Sequence, residues 1–530
     1  MPSVSPEPGP TMEGDLRRFT HFLALICGTL QAIPTWGQTL EIRGNDLAQT
    51  GIPGVFIVRP TVPDFDGKLS ADDRVPGSGL LASLVARGLS AGFGGLVYEN
   101  RDRGHSTLPS SMFPGLTRLT YDEALKQKGL DVGLAARTIT SSPLVGNASM
   151  AMTHGLYWRS LPRLAMTSKM GPEIAYAQYA ANSLYIYPEH RDHDDRDLFP
   201  ANWPYSVTTQ GSSGSDQPFL KAMLMTLAAF PDKTRATLEG NGQIASTLTM
   251  IMRRTMAGIE TDADYMTGKA HPSAFDGDRL RPGRMIAMAA GMRLDNLPPV
   301  ARIVVEQEDF QPEGDLLGRT ELLFTTPAAI GRVWRDTAWQ HEMVVSAEPS
   351  FDTAGRPLSF HWALLRGDST LVQIEHLDDN GTRARLTVSW HEGYPAPSVR
   401  NQPSRLTSRV DIGLFADNGQ LLSAPAFISI TFPVHQLRRY ETTDDGGMRL
   451  HSIDYDAAAR SSAFDPRLFW TGPWRDEMLY DASGQLTGWL RNGAGQSVSF
   501  NAKGELSDGR AVRYVADTSE MPVVFGWHTD

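Results

Sequence analysis

The sequence contains very little cysteine. Cys27 is the single cysteine among 530 residues. Intramolecular disulfides, cysteine-ligated zinc sites and iron–sulfur clusters each need at least two thiols, so this chain forms none of them by itself. The fold must therefore gain its stability from core burial rather than from disulfide cross-links.

The chain also lacks an excess of positive charge, since 49 Lys and Arg stand against 60 Asp and Glu, a net charge of −11. An acidic chain without a basic block argues against nucleic acid as a partner. Neither a Walker phosphate loop nor a Gly-x-Gly-x-x-Gly fingerprint is present. The hydrophobic share of 41% and the charged share of 21% are those of an ordinary globular protein. The length is enough for about two to four domains.

Long apolar runs are scarce, and the run from Phe19 to Ile33 is too short and too interrupted to predict a stable membrane span. Arg17 and Arg18 precede this run, and small residues near Gly37 suit cleavage after that residue. The pattern predicts a secretory signal peptide with an upstream extension over residues 1–37. A buried N-terminal helix is the alternative. We therefore expect bacterial-type export to a secreted, periplasmic or cell-surface location.

Cys27 lies inside the predicted signal peptide. Ile26 stands directly before it, where a lipoprotein site would have a small residue, so we do not expect lipidation. If cleavage follows Gly37, the mature chain holds no cysteine, and a thiol nucleophile is excluded as well.

From residue 38 to 297, short apolar runs alternate with helical patterns. This alternation predicts an α/β domain with a mainly parallel sheet and helices. We interpret this region as the candidate catalytic domain. The predicted strands are 54–58, 94–98, 183–187 and 205–209, and the predicted helices are 80–89, 219–230 and 244–256.

From residue 298 to 433 the pattern changes to strands separated by turns, which is typical of an all-β sandwich. Three segments here resemble the PKD-type immunoglobulin-like domain: Pro298–Arg302, Ser350–Trp362 and Val410–Gly419. The resemblance covers about 135 residues, which is longer than the usual module and indicates an insertion around 306–340. It implies an immunoglobulin-like fold with Trp362 in its core, and an extracellular spacer or binding role.

The tail from residue 434 to 530 carries β-hairpin signals. Residues 480–486 and 500–506 share one formula: aromatic, Asp or Asn, two residues, Gly, one residue, Leu. The pair is similar to YD-type repeats. Each copy predicts a strand, a tight turn with glycine at positive φ, and a return strand. We expect a small β-hairpin region that packs or caps without chemistry of its own.

Ligands of open α/β sheets bind beyond the carboxyl ends of the strands, so site residues are expected there. The strand at 94–98 is followed by Glu99, Arg101, Asp102, Arg103 and His105. His105, oriented by Asp102, suits a general base or acid. Arg101 and Arg103 suit a substrate clamp, and Glu99 adds a carboxylate. A surface loop of mutually paired charges is the alternative.

The strand at 183–187 is followed by a loop rich in histidine and acids. His190 and His193 suit acid–base catalysis, and Asp192, His193 and Asp194 suit a divalent metal such as Ca²⁺ or Zn²⁺. The spacing matches no standard zinc signature, however. A solvated acidic loop, neutralised by its own arginines, is the alternative.

The strand at 205–209 is followed by a Gly/Ser turn and a helix. Ser213 is a candidate nucleophile, flanked by Gly211 and Ser215 in an approximation of the Gly-x-Ser-x-Gly elbow that departs at the last position. Alternatively, the turn with Ser212, Ser215 and Asp216 binds an anion or a substrate hydroxyl at the helix N-terminus. Plain helix capping by Ser215 or Asp216 would account for the same residues.

His271 lies in a predicted loop between helices, where it could contact substrate or complete a triad with Ser213 and an acid. The helical pattern of residues 217–297 nevertheless argues against the α/β-hydrolase fold proper.

Two functions remain open from the sequence. The first is an exported hydrolase or lyase that acts on an extracellular polymer such as a polysaccharide, with the three loops converging on one cleft. The second is a non-catalytic secreted or cell-surface protein that binds a glycan or a protein, with the loops scattered. The convergence of the loops discriminates between them.

Overall fold

Strands and helices alternate in the first half of the chain, as the hydrophobic pattern predicts. The computed structural model describes residues 38–62, 69, 71–133, 137–148, 161–189, 199–310, 322–395, 406–433, 436–455, 471–493, 495–517 and 524–529. The strands of this half are β1 Gln38–Ile42, β2 Leu47–Gln49, β3 Val55–Val58, β4 Val97–Asn100, β5 Thr117–Tyr121, β6 Arg137–Ile139, β7 Leu144–Asn147, β8 Ser183–Pro188 and β9 Ser206–Thr209.

The helices of this half lie between and after those strands. The longer ones are rich in Leu, Met and Ala, which bury well and favour the helical state. They are α1 Ser78–Ala86, α2 Glu123–Gln127, α3 Leu161–Thr167, α4 Gly171–Ala180, α5 Gln217–Ala229, α6 Asp232–Gly240, α7 Ile244–Thr255, α8 Asp262–Tyr265 and α9 Pro282–Gly291.

The main sheet has six strands in the order β1-β5-β4-β7-β8-β9, and every neighbouring pair is parallel. A smaller sheet joins β2, β3 and β6. These observations confirm the predicted α/β region with a mainly parallel sheet. The parallel pairing aligns the carboxyl ends of β4, β7, β8 and β9 along one edge.

The main sheet is buried on both faces, as parallel sheets usually are. Successive side chains of a strand point to opposite faces. On β8, Leu184 and Ile186 join the larger core with α5, whereas Tyr185 and Tyr187 join a second core with β1 and β5. This alternation determines which polar side chains near the strand ends can meet on the same face of the sheet.

The second half of the described chain is built mainly from antiparallel strands. One sheet has the order β10-β13-β16-β15, a mixed sheet has the order β11-β12-β20-β19-β14, and β17 pairs with β18. These sheets confirm the predicted all-β layout. The strands are β10 Val304–Glu308, β11 Leu322–Thr326, β12 Ala329–Val333, β13 Gln340–Ser346, β14 Ser359–Arg366, β15 Val372–His376, β16 Arg383–Ser389, β17 Tyr394–Pro395, β18 Leu406–Thr407, β19 Arg409–Asp417 and β20 Ala426–Thr431.

Trp362 on β14 is buried at 8% exposure, and its indole N–H donates to the Gly381 carbonyl at 2.8 Å. The expectation that it is a core residue is confirmed. The insertion expected around 306–340 contains β11 and β12, and β12 pairs in parallel with β20.

The tail is a five-stranded antiparallel meander, β21 to β25 in sequence order, followed by the hairpin of β26 and β27. Its glycines at 484 and 504 have φ of 82° and 81°, as the two turn motifs predict. The strands are β21 Leu437–Thr442, β22 Met448–Asp454, β23 Trp474–Tyr480, β24 Leu486–Gly493, β25 Gln496–Asn501, β26 Val512–Asp517 and β27 Val524–Thr529.

All the described residues belong to one compact unit, and the expected boundaries at 297/298 and 433/434 lie within it. The division of the chain into separate domains at these boundaries stays a prediction. The predicted signal segment, residues 1–37, lies outside the described residues. Among the helices that are described, none has the length and apolar character needed to cross a membrane.

Candidate active site

Polar residues gather where the parallel strands of the main sheet end. Asn100 closes β4 and Asn147 closes β7, and the two residues are direct partners in the register. Glu189 follows β8, and Thr209 closes β9. Because parallel strands end at one edge, their last residues and the loops after them lie together.

Two of the three polar loops meet at this edge. The Ser106 hydroxyl donates to Asp216 Oδ1 at 2.6 Å, across 110 residues of sequence. The Gly214 N–H donates to Ser106 Oγ at 3.0 Å. The Asn147 amide donates to Asp216 Oδ2 at 3.1 Å. The loop at 99–106 is therefore hydrogen-bonded to the loop at 210–216 through Ser106 and Asp216.

The third loop touches this edge through Glu189, where it begins. Glu189 is 6% exposed, and its Oε1 accepts the Gly211 N–H at 2.7 Å. The Thr209 and Ser215 hydroxyls are 2.8 Å apart, which fixes the same turn from its other side. The turn at 210–216 is thus held by contacts to β8 and β9.

Asp102 and His105 form the acid–base part of the site. Asp102 is 4% exposed, whereas the His105 side chain is 70% exposed and its Nδ1 lies 3.7 Å from Asp102 Oδ1. Within the described part of the chain, the buried Asp102 Oδ2 has no hydrogen-bond partner.

Burial dominates the electrostatics of Asp102. It raises the pKa of this carboxyl from 3.8 to about 7, against the opposing effect of His105 and with a further increase from the charge of Asp216. The pKa of Asp216 is also raised, again mainly by burial, although hydrogen bonds from Ser106 and Asn147 oppose the shift. We call Asp102, His105, Ser106, Asn147 and Asp216 the strand-end cluster.

The backbone of the loop at 99–106 is strained at this cluster. Arg103 and Ser106 have φ of 48° and 54°, a region that L-residues with side chains rarely adopt, and Gly104 between them has φ of 88°. The Asn100 side chain holds the loop, since its Oδ1 accepts the N–H groups of Asp102 and Gly104 at 3.0 and 3.2 Å. Strain of this kind concentrates at functional sites.

Glu99 and Arg101, predicted as substrate-binding residues, do not join the strand-end cluster. Both are fully buried, and Arg101 Nη1 donates to Glu99 Oε1 at 3.0 Å. The hydroxyl of Tyr121 donates to the same oxygen at 2.5 Å, and that of Tyr185 donates to Glu99 Oε2. Because side chains alternate along β4, Glu99 points to the face opposite Asn100. This ion pair is therefore built into the second core rather than open to substrate.

The serines of the turn and Arg103 lie at the surface near the cluster. Ser212, Ser213 and Arg103 are exposed. In the described structure, the Ser213 hydroxyl makes no hydrogen bond, so no base is in place to activate it. Asp216 occupies the N-cap position of α5, yet its side chain makes no capping hydrogen bond. Simple capping does not account for Asp216.

His271, predicted as a partner of Ser213 or a substrate contact, lies elsewhere. It is 2% exposed, and its Nε2 lies 2.5 Å from the Tyr265 carbonyl while its Nδ1 lies 3.3 Å from Arg253. Burial and the neighbouring guanidinium of Arg253 lower the pKa of His271 well below 6.5. It is a neutral packing residue between helices and the mixed sheet, where its ring contacts Phe415.

The candidate metal ligands lie outside the described residues. Residues 190–198, which include His190, Asp192, His193 and Asp194, are not among the described residues. Across the residues that are described, no group of three or more His, Cys, Asp or Glu side chains is placed to hold a metal ion. The metal site therefore stays a prediction.

Sequence reasoning did not single out Ser106 or Asn147 as site residues. Ser106 lies in the polar loop at 99–106 without a role of its own there, and Asn147 ends β7, a strand that no sequence motif predicted. The signal that would have found Asn147 is its place at the end of a buried apolar run beside β4. Ser106 carries no such local signal, because its partner Asp216 is distant in sequence.

No protein-family model and no curated protein matches this sequence. One solved structure with some similarity is a nucleoside hydrolase-related hypothetical protein from Saccharophagus degradans, associated with carbohydrate metabolism, at 12% identity and a TM-score of 0.20 over 55% of this chain and 71% of that one. Another is the tandem Ig repeats of Dlar, at 11% identity and a TM-score of 0.12 over 39% of this chain and 97% of that one. Similarities this weak carry no argument about fold or activity.

Proposed function

We propose that the protein is a hydrolase whose active site is the strand-end cluster. The observation that carries this proposal is the hydrogen-bonded convergence of the loops at 99–106 and 210–216 around two buried carboxyl groups, Asp102 and Asp216. A binding protein with scattered polar loops would not need this arrangement.

Asp102 is the group best suited to activate water. Its pKa of about 7 lies near neutral pH, where a general base combines sufficient basicity with a large ionised fraction. Its Oδ2 is one of the buried side-chain oxygens that have no hydrogen-bond partner among the described residues. In the proposed reaction, the Asp102 carboxylate takes a proton from the attacking water, and His105 beside it exchanges protons with solvent.

We further propose that the substrate is an extracellular polymer such as a polysaccharide and that the chain is exported. Two features support this proposal. Residues 1–37 carry basic residues, an apolar run and small residues in the order typical of a signal peptide, and a β-rich half follows the α/β region. The resemblance of residues 298–433 to a PKD-type sandwich suits a spacer or binding module beside a catalytic region. The alternative, a glycan- or protein-binding protein without catalysis, would use the same β-rich half.

The test is hydrolysis of a panel of polysaccharides, chromogenic glycosides and chromogenic esters by the full chain and two variants. We expect Asp102→Asn to lower kcat by about 10²–10⁴-fold, and His105→Ala to lower it less. For the wild type, kcat/KM should rise with pH through about 7, because Asp102 must be ionised to act as a base.

Asp379→Asn and His376→Ala are the matched controls, since both residues are exposed and lie on or just after β15, which belongs to a different sheet from β4 and β7. Both should keep wild-type rates. Full activity of Asp102→Asn on a substrate that the wild type hydrolyses would reject the assignment. Absence of hydrolysis across the panel, together with saturable binding of a glycan, would favour the non-catalytic alternative.

A further inference from the structure

The Ser106 hydroxyl has an arrangement that the water-activation role of Asp102 does not explain. Its proton is directed to Asp216 Oδ1 at 2.6 Å, and one of its lone pairs accepts the Gly214 N–H at 3.0 Å. A hydroxyl oxygen has two acceptor lone pairs. Among the described residues no other donor binds this oxygen, so its second lone pair stays available for attack on an electrophile.

Asp216 is oriented toward Ser106 rather than toward its own helix. It stands at the N-cap of α5, where an aspartate would ordinarily bind the first free N–H groups of the helix, yet it makes no such bond. Its oxygens instead accept from Ser106 and Asn147. Asp216 is fully buried, so its carboxylate is a stronger base than one in water.

The backbone supports the same assignment. Ser106 is held at φ of 54°, and of the three non-glycine residues with positive φ in the described chain, Arg103 and Ser106 lie in this loop. A nucleophile on a sharp, strained turn projects its hydroxyl away from the backbone. Ser106 is half-buried, so the hydroxyl remains within reach of a substrate at the strand ends.

We propose that Ser106 is a catalytic nucleophile, that Asp216 is its general base, and that the substrate class is the carboxylic ester. This inference rests on the hydrolase function proposed above and specifies the bond that is hydrolysed, an ester group of the substrate rather than a glycosidic linkage. The ester is favoured over the amide because the base is a carboxylate, and an alkoxide departs with less assistance than an amine anion.

The reaction balances without any further reactant besides water. Ser106 Oγ forms a bond to the carbonyl carbon while its proton passes to Asp216. The tetrahedral intermediate then expels the alcohol, which takes that proton and leaves an acyl-serine. Water attacks the acyl carbon and gives one proton to Asp102. The second tetrahedral intermediate expels Ser106 Oγ, which recovers that proton from Asp102 through solvent, so the acid is released and both carboxylates return to their starting state.

The experiment treats the full chain with diisopropyl fluorophosphate and locates the adduct by peptide mass spectrometry. Hydrolysis of p-nitrophenyl acetate is measured in parallel. We expect one adduct on Ser106, its loss in Ser106→Ala and Ser106→Gly, and a drop in kcat of about a thousandfold in both. Asp216→Asn should slow labelling strongly.

Ser110→Ala is the matched control, because it removes an exposed serine four residues after Ser106 whose hydroxyl makes no hydrogen bond among the described residues. It should keep both the label and the activity. Ser106→Gly guards against misfolding, since glycine tolerates the positive φ at this position.

Retained labelling or retained esterase activity in both folded Ser106 variants would overturn the nucleophile assignment. If Asp102→Asn were inactive in that case, the hydrolase proposal would stand with direct attack by water. If the wild type hydrolysed neither esters nor glycosides, the hydrolase proposal itself would fail.

Discussion

Two buried titratable side chains respond to burial in opposite ways. At Asp102, burial raises the pKa to about 7, because no compensating donor is fixed on its second oxygen within the described structure. At His341, burial by itself would lower the pKa. Hydrogen bonds to Asp309 at 2.6 Å and Asp336 at 3.1 Å outweigh it and raise the pKa to about 9. The carboxyl of Asp102, with one oxygen unpaired, is suited to proton transfer, whereas the doubly paired ring of His341 is suited to stabilising the fold.

At the residue scale, Asp102→Asn should stabilise the protein at neutral and basic pH. The raised pKa means that ionisation of Asp102 opposes folding, a cost that is absent below about pH 4 and complete above about pH 7. We expect the variant to gain about 1–3 kcal/mol at pH 8.5 and nothing at pH 4. Urea unfolding at both values measures this, with Asp379→Asn as the unchanged control. An equal effect at both pH values would contradict the assigned pKa.

His341→Gln should remove a pH-dependent contribution of the opposite sign. Because the pKa of His341 is raised from 6.5 to about 9, its pairing stabilises the fold fully below about pH 6.5 and is lost as the pH rises through 9. The wild type should therefore lose about 2–3 kcal/mol between pH 6 and pH 9.5 relative to the variant. Chemical denaturation at several pH values checks this. A parallel pH dependence of the two proteins would contradict it, and the exposed His376→Gln should behave as wild type.

At the element scale, the two hairpin motifs of the tail fold into the same turn. The Asp481 N–H donates to the Gln485 carbonyl and the Gly484 N–H to the Asp481 carbonyl, and the bonds from 501 to 505 and from 504 to 501 repeat this pattern. Asp481 Oδ1 and Asn501 Oδ1 each accept the N–H groups two and four residues ahead. The shared formula thus specified a complete local structure.

Gly484→Ala should destabilise the protein for a purely conformational reason. Gly484 has φ of 82°, and an added Cβ would meet nothing within 4 Å. We expect a loss of about 1–2 kcal/mol from the left-handed backbone alone. Gly504→Ala should lower the free energy of unfolding by a similar amount. Gly44→Ala is the control, because a Cβ at Gly44 would also meet nothing within 4 Å and the backbone there does not have positive φ. Denaturant titration measures the difference. A neutral effect at both turn glycines would reject the strained-turn explanation.

At the scale of the whole molecule, the α/β region and the β-rich region share one core. The Tyr205 hydroxyl lies 2.7 Å from the Thr326 hydroxyl and accepts the Ala328 N–H at 3.0 Å. Arg409 of β19 pairs with Asp411 at 2.8 Å and also donates to the Phe199 carbonyl at 2.6 Å. Contacts of this kind couple the two regions energetically.

Arg409→Met should therefore shift the unfolding of both regions together. Arg409 and Asp411 are each 1% exposed, so the substitution leaves a buried carboxylate with reduced compensation. We expect a loss of about 3 kcal/mol within one calorimetric transition. Arg383→Met breaks the exposed pair with Glu306 and should leave the transition almost unchanged, because solvent screens exposed ion pairs. If calorimetry showed two separate unfolding transitions and Arg409→Met shifted only one of them, the two predicted regions would instead fold independently.

The sequence by itself determined the local structure of this protein. Apolar periodicity predicted β8 and β9 to within one residue at each end, and turn chemistry predicted the hairpins, because both depend on residues close together in the chain. It also indicated that polar loops follow the strands.

Only the tertiary structure decided which of those polar residues meet. Strand alternation placed Glu99 and Arg101 in a closed core and Asn100 at the open edge. The pairing of β4 with β7, and the docking of α5, brought Ser106 to Asp216 over 110 residues. The physical reason is that such contacts depend on how strands order and helices pack, and no local pattern encodes that.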